Sequence, residues 1–200
     1  MTTDENKMLQ ELTHGISEVL IPEGSINQRV SELGAAISQD YEGRNPLFIG
    51  VLKGVFFFMA DLLRKVTIPV EVDFIAISSY SLEARDKGFV RLVKDLDTPI
   101  TGRHVLFIED VVDTGLTLNY LLQNLKSRSP ASLEVCTIFN KPHHRLIDLS
   151  LKYVGFDLPD RFVVGYGLDY RERYRNLPYV ALLKAQTITP ALRGSNLNII

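Results

Sequence analysis

Three carboxylates, Glu109, Asp110 and Asp113, and two hydroxyls, Thr114 and Thr117, crowd around Gly115 directly after the apolar run Val105 to Ile108. Stability alone does not ask for this pattern. Leu118, Leu121, Leu122 and Leu125 recur at helical spacing behind it, so the stretch reads as a strand, a polar loop and a helix start. The first N–H groups of a helix lack intrahelical partners, and with the helix dipole they attract an anion. Gly115 lets the backbone come close to that anion, and Thr114 and Thr117 add hydroxyl donors, which makes the loop a phosphate cradle. Carboxylates facing a bare phosphate would repel it, so they are expected to meet hydroxyls or a hydrated metal beside it. A ribose 5-phosphate with free 2- and 3-hydroxyls satisfies both halves. A helix cap at Asp113 or Thr114 would explain one polar residue but not three acids at a strand end. The chain contains neither GxxxxGK nor GxGxxG, which excludes the usual triphosphate and dinucleotide loops.

Elements on either side must hold this stretch in place. Ile26, Val30, Leu33 and Ile37 predict a helix from Ser25 to about Asp40, and Leu47 to Val51 is a short apolar run of the kind a doubly covered parallel strand shows. After Lys53 and Gly54, Val55, Phe58, Met59 and Leu62 lie on one helical face. "VEVDFIAI" reads as a strand, "SLEARDKG" as an exposed loop, and "FVRLV" as a return to strand. "LEVCTIF", "RFVVGYGLDY" and "YVALL" read as later strands. Strand and helix alternate through the first two thirds, which predicts an α/β fold: a twisted parallel sheet flanked by helices, with a small lobe built from the two chain ends. Ligands of such sheets bind beyond the carboxyl ends of the strands, where the acidic stretch lies.

The chain has 200 residues, 46% hydrophobic and 23% charged, with a net charge of -2, as expected for one globular domain spanning 1–200. No basic field marks it as a nucleic-acid binder. Cys136 is the sole cysteine, so no internal disulfide forms, and it reads as a small core residue. The polar start "MTTDENKMLQEL" lacks the apolar core of a signal peptide, and no run approaches the ~20 apolar residues of a membrane span. A cytoplasmic protein without a membrane partner is expected.

"VLFIEDVVDTGLTL" resembles the phosphoribosyl-pyrophosphate signature of type I phosphoribosyltransferases, and its Glu-Asp-x-x-Asp-Thr-Gly form is similar to that of the hypoxanthine-guanine branch. Four further stretches match the family in order: "GVLKGVFFF" its pyrophosphate loop, "ISSY" the entry to its mobile loop, "FNKP" its purine-contact lysine, and "LPDRFVVGYGLDYRERYRN" its base-stacking and metal segment. The resemblance implies the type I phosphoribosyltransferase fold, with the chain ends forming a hood. It also implies transfer of a 5-phosphoribosyl group from phosphoribosyl pyrophosphate to a ring nitrogen of a free 6-oxopurine, with Mg2+ present and pyrophosphate released.

By the same resemblance, Glu109 and Asp110 would hold the ribose hydroxyls, partly through metal and water, and Asp113 would meet purine N7 as catalytic base or acceptor. Asp113, Thr114, Gly115, Leu116 and Thr117 would hold the 5-phosphate. Lys53 and Gly54 belong to the pyrophosphate loop, where family members carry a cis peptide between Leu and Lys, and Arg175 would also meet pyrophosphate. Lys141, Phe162, Val163 and Asp169 would serve the purine, with Asp169 also a metal ligand. Ser79 and Tyr80 would mark the base of the mobile loop. Ser81 stands where relatives often have Gly, and Leu116 where some have Lys. A homodimer or homotetramer is expected on the same ground. His143 and His144 are adjacent rather than at metal-ligand spacing, and no histidine is assigned to a metal. A regulator on the same fold, sensing phosphoribosyl pyrophosphate and binding RNA or DNA, is the alternative, and the balanced charge argues against it.

Overall fold

The computed structural model describes residues 13–79 and 90–187. Tyr80 and the expected loop from Ser81 to Gly88 lie outside the described residues, and Ser79 is described only as the last residue of its strand.

The larger of two compact units spans residues 27–160. Its six-stranded sheet is built from β2 (Leu47–Leu52), β3 (Glu71–Ser79), β4 (Val90–Lys94), β5 (His104–Val112), β6 (Ser132–Asn140) and β7 (Tyr153–Asp157), in the order β4-β3-β2-β5-β6-β7. Five of these strands run parallel, while β4 lies antiparallel on the edge beside β3. The connection between β3 and β4 is shorter than the dozen or so residues a parallel crossover needs, which accounts for that reversal. Helices α1 (Glu23–Asp40), α2 (Phe56–Leu63) and α3 (Leu116–Lys126) flank the strands in sequence. The expected helical stripes are the buried ones: Val55, Phe58, Met59 and Leu62 around α2, and Leu118, Leu121, Leu122 and Leu125 on α3. Leu47 to Ile49 and Val105 to Ile108 are sealed from solvent, as strands covered on both faces must be. Cys136 is buried among them as a core residue.

β5 runs further than its apolar stretch. Its pairing with β2 ends at Gly50↔Ile108, but its pairing with β6 continues through Glu109↔Thr137 to Val112↔Asn140. Glu109 and Asp110 therefore lie inside the strand rather than after it, because β6 supplies a ladder on one side. The strand β7 has no counterpart in the periodicity reading.

The smaller unit comes from both chain ends, described over 13–26 and 161–187. It holds an antiparallel sheet of β1 (Ile16–Ile21), β9 (Val180–Leu183) and β8 (Val163–Val164), packed around Val164, Tyr170, Leu177 and Leu183. The strand expected over Arg161 to Tyr170 survives only at Val163–Val164. Positive φ at Gly165, Tyr166 and Gly167 turns the chain there, and isolated bridges Gly165↔Leu168 and Tyr170↔Arg173 close successive tight turns.

Asp73, buried in β3, ties down the chain leaving β4. Its carboxylate accepts from the N–H groups of Phe74 at 2.7 Å, Asp97 at 2.8 Å and Thr98 at 2.9 Å, and from Lys94 Nζ at 3.3 Å. Desolvation, the largest single effect, raises its pKa, but the bonds from Thr98, Phe74, Lys94 and Asp97 together outweigh it and hold the group below the usual carboxylate range. A lowered folded pKa means that this stabilisation is present above the unfolded value and is lost as pH falls through the folded one. Asp73→Ala leaves those donors without their acceptor and is expected to cost about 2–4 kcal/mol, a fall of roughly 5–15 °C in melting temperature near neutral pH. The deficit should shrink as the pH is lowered through the acid limb, as followed by calorimetry, and a pH-independent deficit would contradict it.

Candidate active site

The carboxyl ends of β2, β5 and β6 bring the first set of predicted residues together. Glu109 and Asp110 are both buried, at 8% and 9% exposure. Burial first, and then the adjacent Asp110 carboxylate, pushes Glu109 well above the usual carboxylate range. Asp110 turns back on its own strand, accepting the Val111 N–H at Oδ1 over 2.8 Å. Its other oxygen lies against the loop after β2, where a Cβ placed on Gly54 would stand 1.7 Å from Asp110 Oδ2. Glycine is the residue that permits this approach. The Leu52–Lys53 peptide just before it is cis, as the resemblance implied, and the Lys53 side chain is exposed.

The loop between β5 and α3 has the shape of an anion cradle. Gly115 is the N-cap of α3 with φ +82, and it offers no side-chain cap bond to the helix. The reading of Asp113 or Thr114 as a plain helix cap therefore fails, apart from a long contact of 3.4 Å between Thr114 Oγ1 and the Leu116 N–H. A Cβ at Gly115 would meet Leu149 Cδ1 at 2.9 Å and Arg145 Cδ at 3.1 Å. The segment after β6 thus backs the loop, and Leu146 N–H donates to Thr114 O over 3.0 Å. Leu116 and Thr117 open the helix with their side chains partly exposed.

Asp113 and Lys141 meet at the same sheet end. Lys141 follows β6 and is 6% exposed, and its N–H donates to Val112 O at the end of β5 over 2.9 Å. Its Nζ lies 3.8 Å from Asp113 Oδ2, with side chains 8% and 10% exposed. Two residues that sequence reasoning passed over complete the cluster: His144 Nδ1 lies 2.9 Å from Asp113 Oδ1, and its Nε2 contacts Asp160 Oδ1. Arg145 donates to Asn140 Oδ1, and burial draws its pKa down against the opposing pull of Asp113 and Asp148. The only hint in the sequence was position, since Pro142–His144 forms a 3-10 turn directly after Lys141.

Four predicted residues belong to the smaller unit. Asp169 and Arg175, expected to serve metal and pyrophosphate, are paired with each other: Arg175 Nη2 lies 2.7 Å from Asp169 Oδ1, and Nη1 donates to Gly167 O over 2.8 Å. Asp169 Oδ2 also accepts the Glu172 N–H at 2.8 Å. Phe162 stands edge to face with Tyr170 at 5.6 Å, and Val163 is a buried strand residue paired with Leu182.

Among the described residues no group of three or more His, Cys, Asp or Glu is arranged to hold a metal ion alone. Glu109 and Asp110 are hard oxygen donors of the type a magnesium ion takes, and such an ion needs only one or two carboxylates, keeps several waters and draws other oxygens from a phosphorylated substrate.

Residues 22–171 match the phosphoribosyl transferase domain family. The chain is 48% identical over 173 residues to a hypoxanthine-guanine phosphoribosyltransferase of Bacillus subtilis, covering 86% of this chain and 96% of that protein. It is 49% identical over 175 residues to one of Streptococcus agalactiae, covering 88% and 97%. A crystal structure of a Staphylococcus aureus hypoxanthine phosphoribosyltransferase superimposes with TM-score 0.86 at 42% identity, covering 90% of this chain and 97% of that one. The Trypanosoma cruzi enzyme in complex with its product IMP gives 0.81 at 39%, covering 86% and 97%.

The contact between Gly54 and Asp110 yields a direct test. Gly54→Ala must displace either a backbone loop or a carboxylate already bound to Val111, an overpacking cost of about 1–3 kcal/mol. The expected outcome is a fall in melting temperature of about 2–10 °C, measured by calorimetry. An unchanged melting temperature would show that the approach is looser than described.

Proposed function

The chain belongs to the phosphoribosyl transferase family, and we propose that within it this protein is a purine salvage enzyme. It transfers 5-phosphoribosyl from phosphoribosyl pyrophosphate to hypoxanthine, and to guanine, giving IMP or GMP and pyrophosphate. The observation that carries this reading is the pair Lys141 and Asp113, with side chains 8% and 10% exposed and Nζ and Oδ2 3.8 Å apart. A 6-oxopurine presents O6 and N7 on one edge. An ammonium is a pure donor and suits O6, while an ionised carboxylate is a pure acceptor and suits a proton on N7.

The backbone N–H groups of the Gly115 loop and the Thr114 and Thr117 hydroxyls hold the 5-phosphate, and Glu109 and Asp110 hold the ribose hydroxyls. As the bond to pyrophosphate breaks, positive charge develops on the ribose, and the two carboxylates stand ready to stabilise it without reorganising. Asp113 takes the purine proton as the ring nitrogen bonds to the ribose carbon. Lys53 and Gly54 belong with the pyrophosphate. Glu109 and Asp110 would hold a magnesium ion, whose charge would offset that of pyrophosphate, and for Asp169 the proposed role is the metal-binding one that the family resemblance implies. For Arg175, Phe162 and Val163 the proposed roles are those the family resemblance implies: pyrophosphate contact, base stacking and backbone contact to the base. Ser79 and Tyr80 would lead into a loop that excludes water. No helix among the described residues is long and apolar enough to cross a membrane. A homo-oligomer working in the cytoplasm completes the proposal.

The test offers purified protein, Mg2+ and phosphoribosyl pyrophosphate to hypoxanthine, guanine, xanthine and adenine separately. Adenine puts an amino donor where O6 would be, so donor faces donor, a mismatch that polar sites reject by as much as ~10⁴- to 10⁵-fold. IMP and GMP formation without AMP is expected, and Lys141→Ala should narrow the gap by losing 6-oxopurine activity. Adenine turnover equal to that of hypoxanthine would overturn the substrate class.

A further inference from the structure

We propose that His144, braced by Asp160, is a positioning residue that fixes the plane of the Asp113 carboxylate. The inference rests on the reading of Asp113 as the group that meets the purine proton. His144 stands in the 3-10 turn after β6 and spans two acids, with Nδ1 on Asp113 Oδ1 at 2.9 Å and Nε2 on Asp160 Oδ1. Ionised carboxylates only accept, so both contacts are satisfied when each ring nitrogen carries a proton. The turn itself is tied to the end of β5, since Lys141 N–H donates to Val112 O at 2.9 Å and Leu146 N–H to Thr114 O at 3.0 Å.

The consequence lies in how a carboxylate rotates. The terminal torsion of Asp is broad, so an unrestrained Asp113 would sweep its oxygens through an arc. Holding Oδ1 with an imidazole that is itself held at its far nitrogen leaves Oδ2 aimed toward Lys141, on the side where a base would present O6 and N7 together. The His144 side chain is 20% exposed and that of Asp160 63%, so the brace is built from outside the buried pair. Because the bond of His144 is to the Asp113 carboxylate rather than to the backbone of Thr114 to Thr117, its loss should act on the chemical step more than on phosphoribosyl-pyrophosphate affinity.

The experiment compares steady-state kinetics of wild type, Asp113→Asn, His144→Ala, His144→Asn, Asp160→Ala and the double variant His144→Ala/Asp160→Ala. His144→Ala should lower kcat about 10- to 100-fold, the scale of a misplaced reacting group, with KM for phosphoribosyl pyrophosphate within about twofold. His144→Asn restores a donor toward Asp113 and should recover most of the loss. Asp160→Ala should show a smaller loss that vanishes in the His144→Ala background, because it acts through the ring. If Asp113→Asn is impaired while His144→Ala keeps wild-type kcat, the positioning role is wrong and the function of Asp113 stands. If His144→Ala and His144→Asn are equally impaired and KM rises with them, the histidine is only structural and the proposal is again wrong. An unimpaired Asp113→Asn removes the reading of Asp113 and this inference with it.

Discussion

Ionising a carboxyl group out of water is costly, and β5 carries two such groups in succession, Glu109 and Asp110, at positions sealed almost as well as the core. Much of the larger unit is arranged around that fact. β6 extends its ladder past the end of β2 to keep the acids in regular strand, and the Val111 N–H takes one Asp110 oxygen. The loop after β2 presents a glycine where any side chain would strike the other oxygen. Burial, and after it the neighbouring Asp110 carboxyl, raises the Glu109 pKa, an effect that a bound cation or sugar hydroxyls would oppose.

In the proposed reading, fixed dipoles let a phosphate site at the start of α3 lie next to the acids without conflict. Gly115, left-handed at φ +82, caps the helix that follows, which is anchored by four buried leucines. On that reading a ligand with phosphate at one end and hydroxyls in the middle would meet donors and acceptors already in place, so little reorganisation would be left for the reaction itself. Lys141 and Asp113 extend this to a third chemical group, one donor and one acceptor held at the ends of neighbouring strands.

The elements that bury a stripe or a run were legible because burial writes itself as periodicity: α2, α3 and the apolar half of β5 lie where their leucines and phenylalanines put them. The polar half of β5 was not, since its strand character comes from β6, a partner distant in sequence. The tight turns after Val164 hid behind a β-like composition, with the two glycines of "VVGYG" as the overlooked signal. The cis bond at Lys53 was anticipated from family resemblance and from nothing in the residues. His144 was invisible for a different reason: its partners are Asp113 and Asp160, and no local rule connects a histidine to acids so far along the chain.

Calorimetry of Glu109→Gln separates a carboxyl kept for a ligand, as proposed, from one kept for the fold. A carboxyl whose folded pKa is raised contributes stability below its unfolded value and loses it as pH rises through the folded one, so at neutral pH the charge works against folding. The variant removes that charge and keeps the shape. At fixed protein and ligand concentrations near pH 7, free Glu109→Gln is expected to melt above wild type but to gain much less from phosphoribosyl pyrophosphate with Mg2+. A variant that melts no higher than wild type when free, and is stabilised as strongly by the ligand, would contradict it.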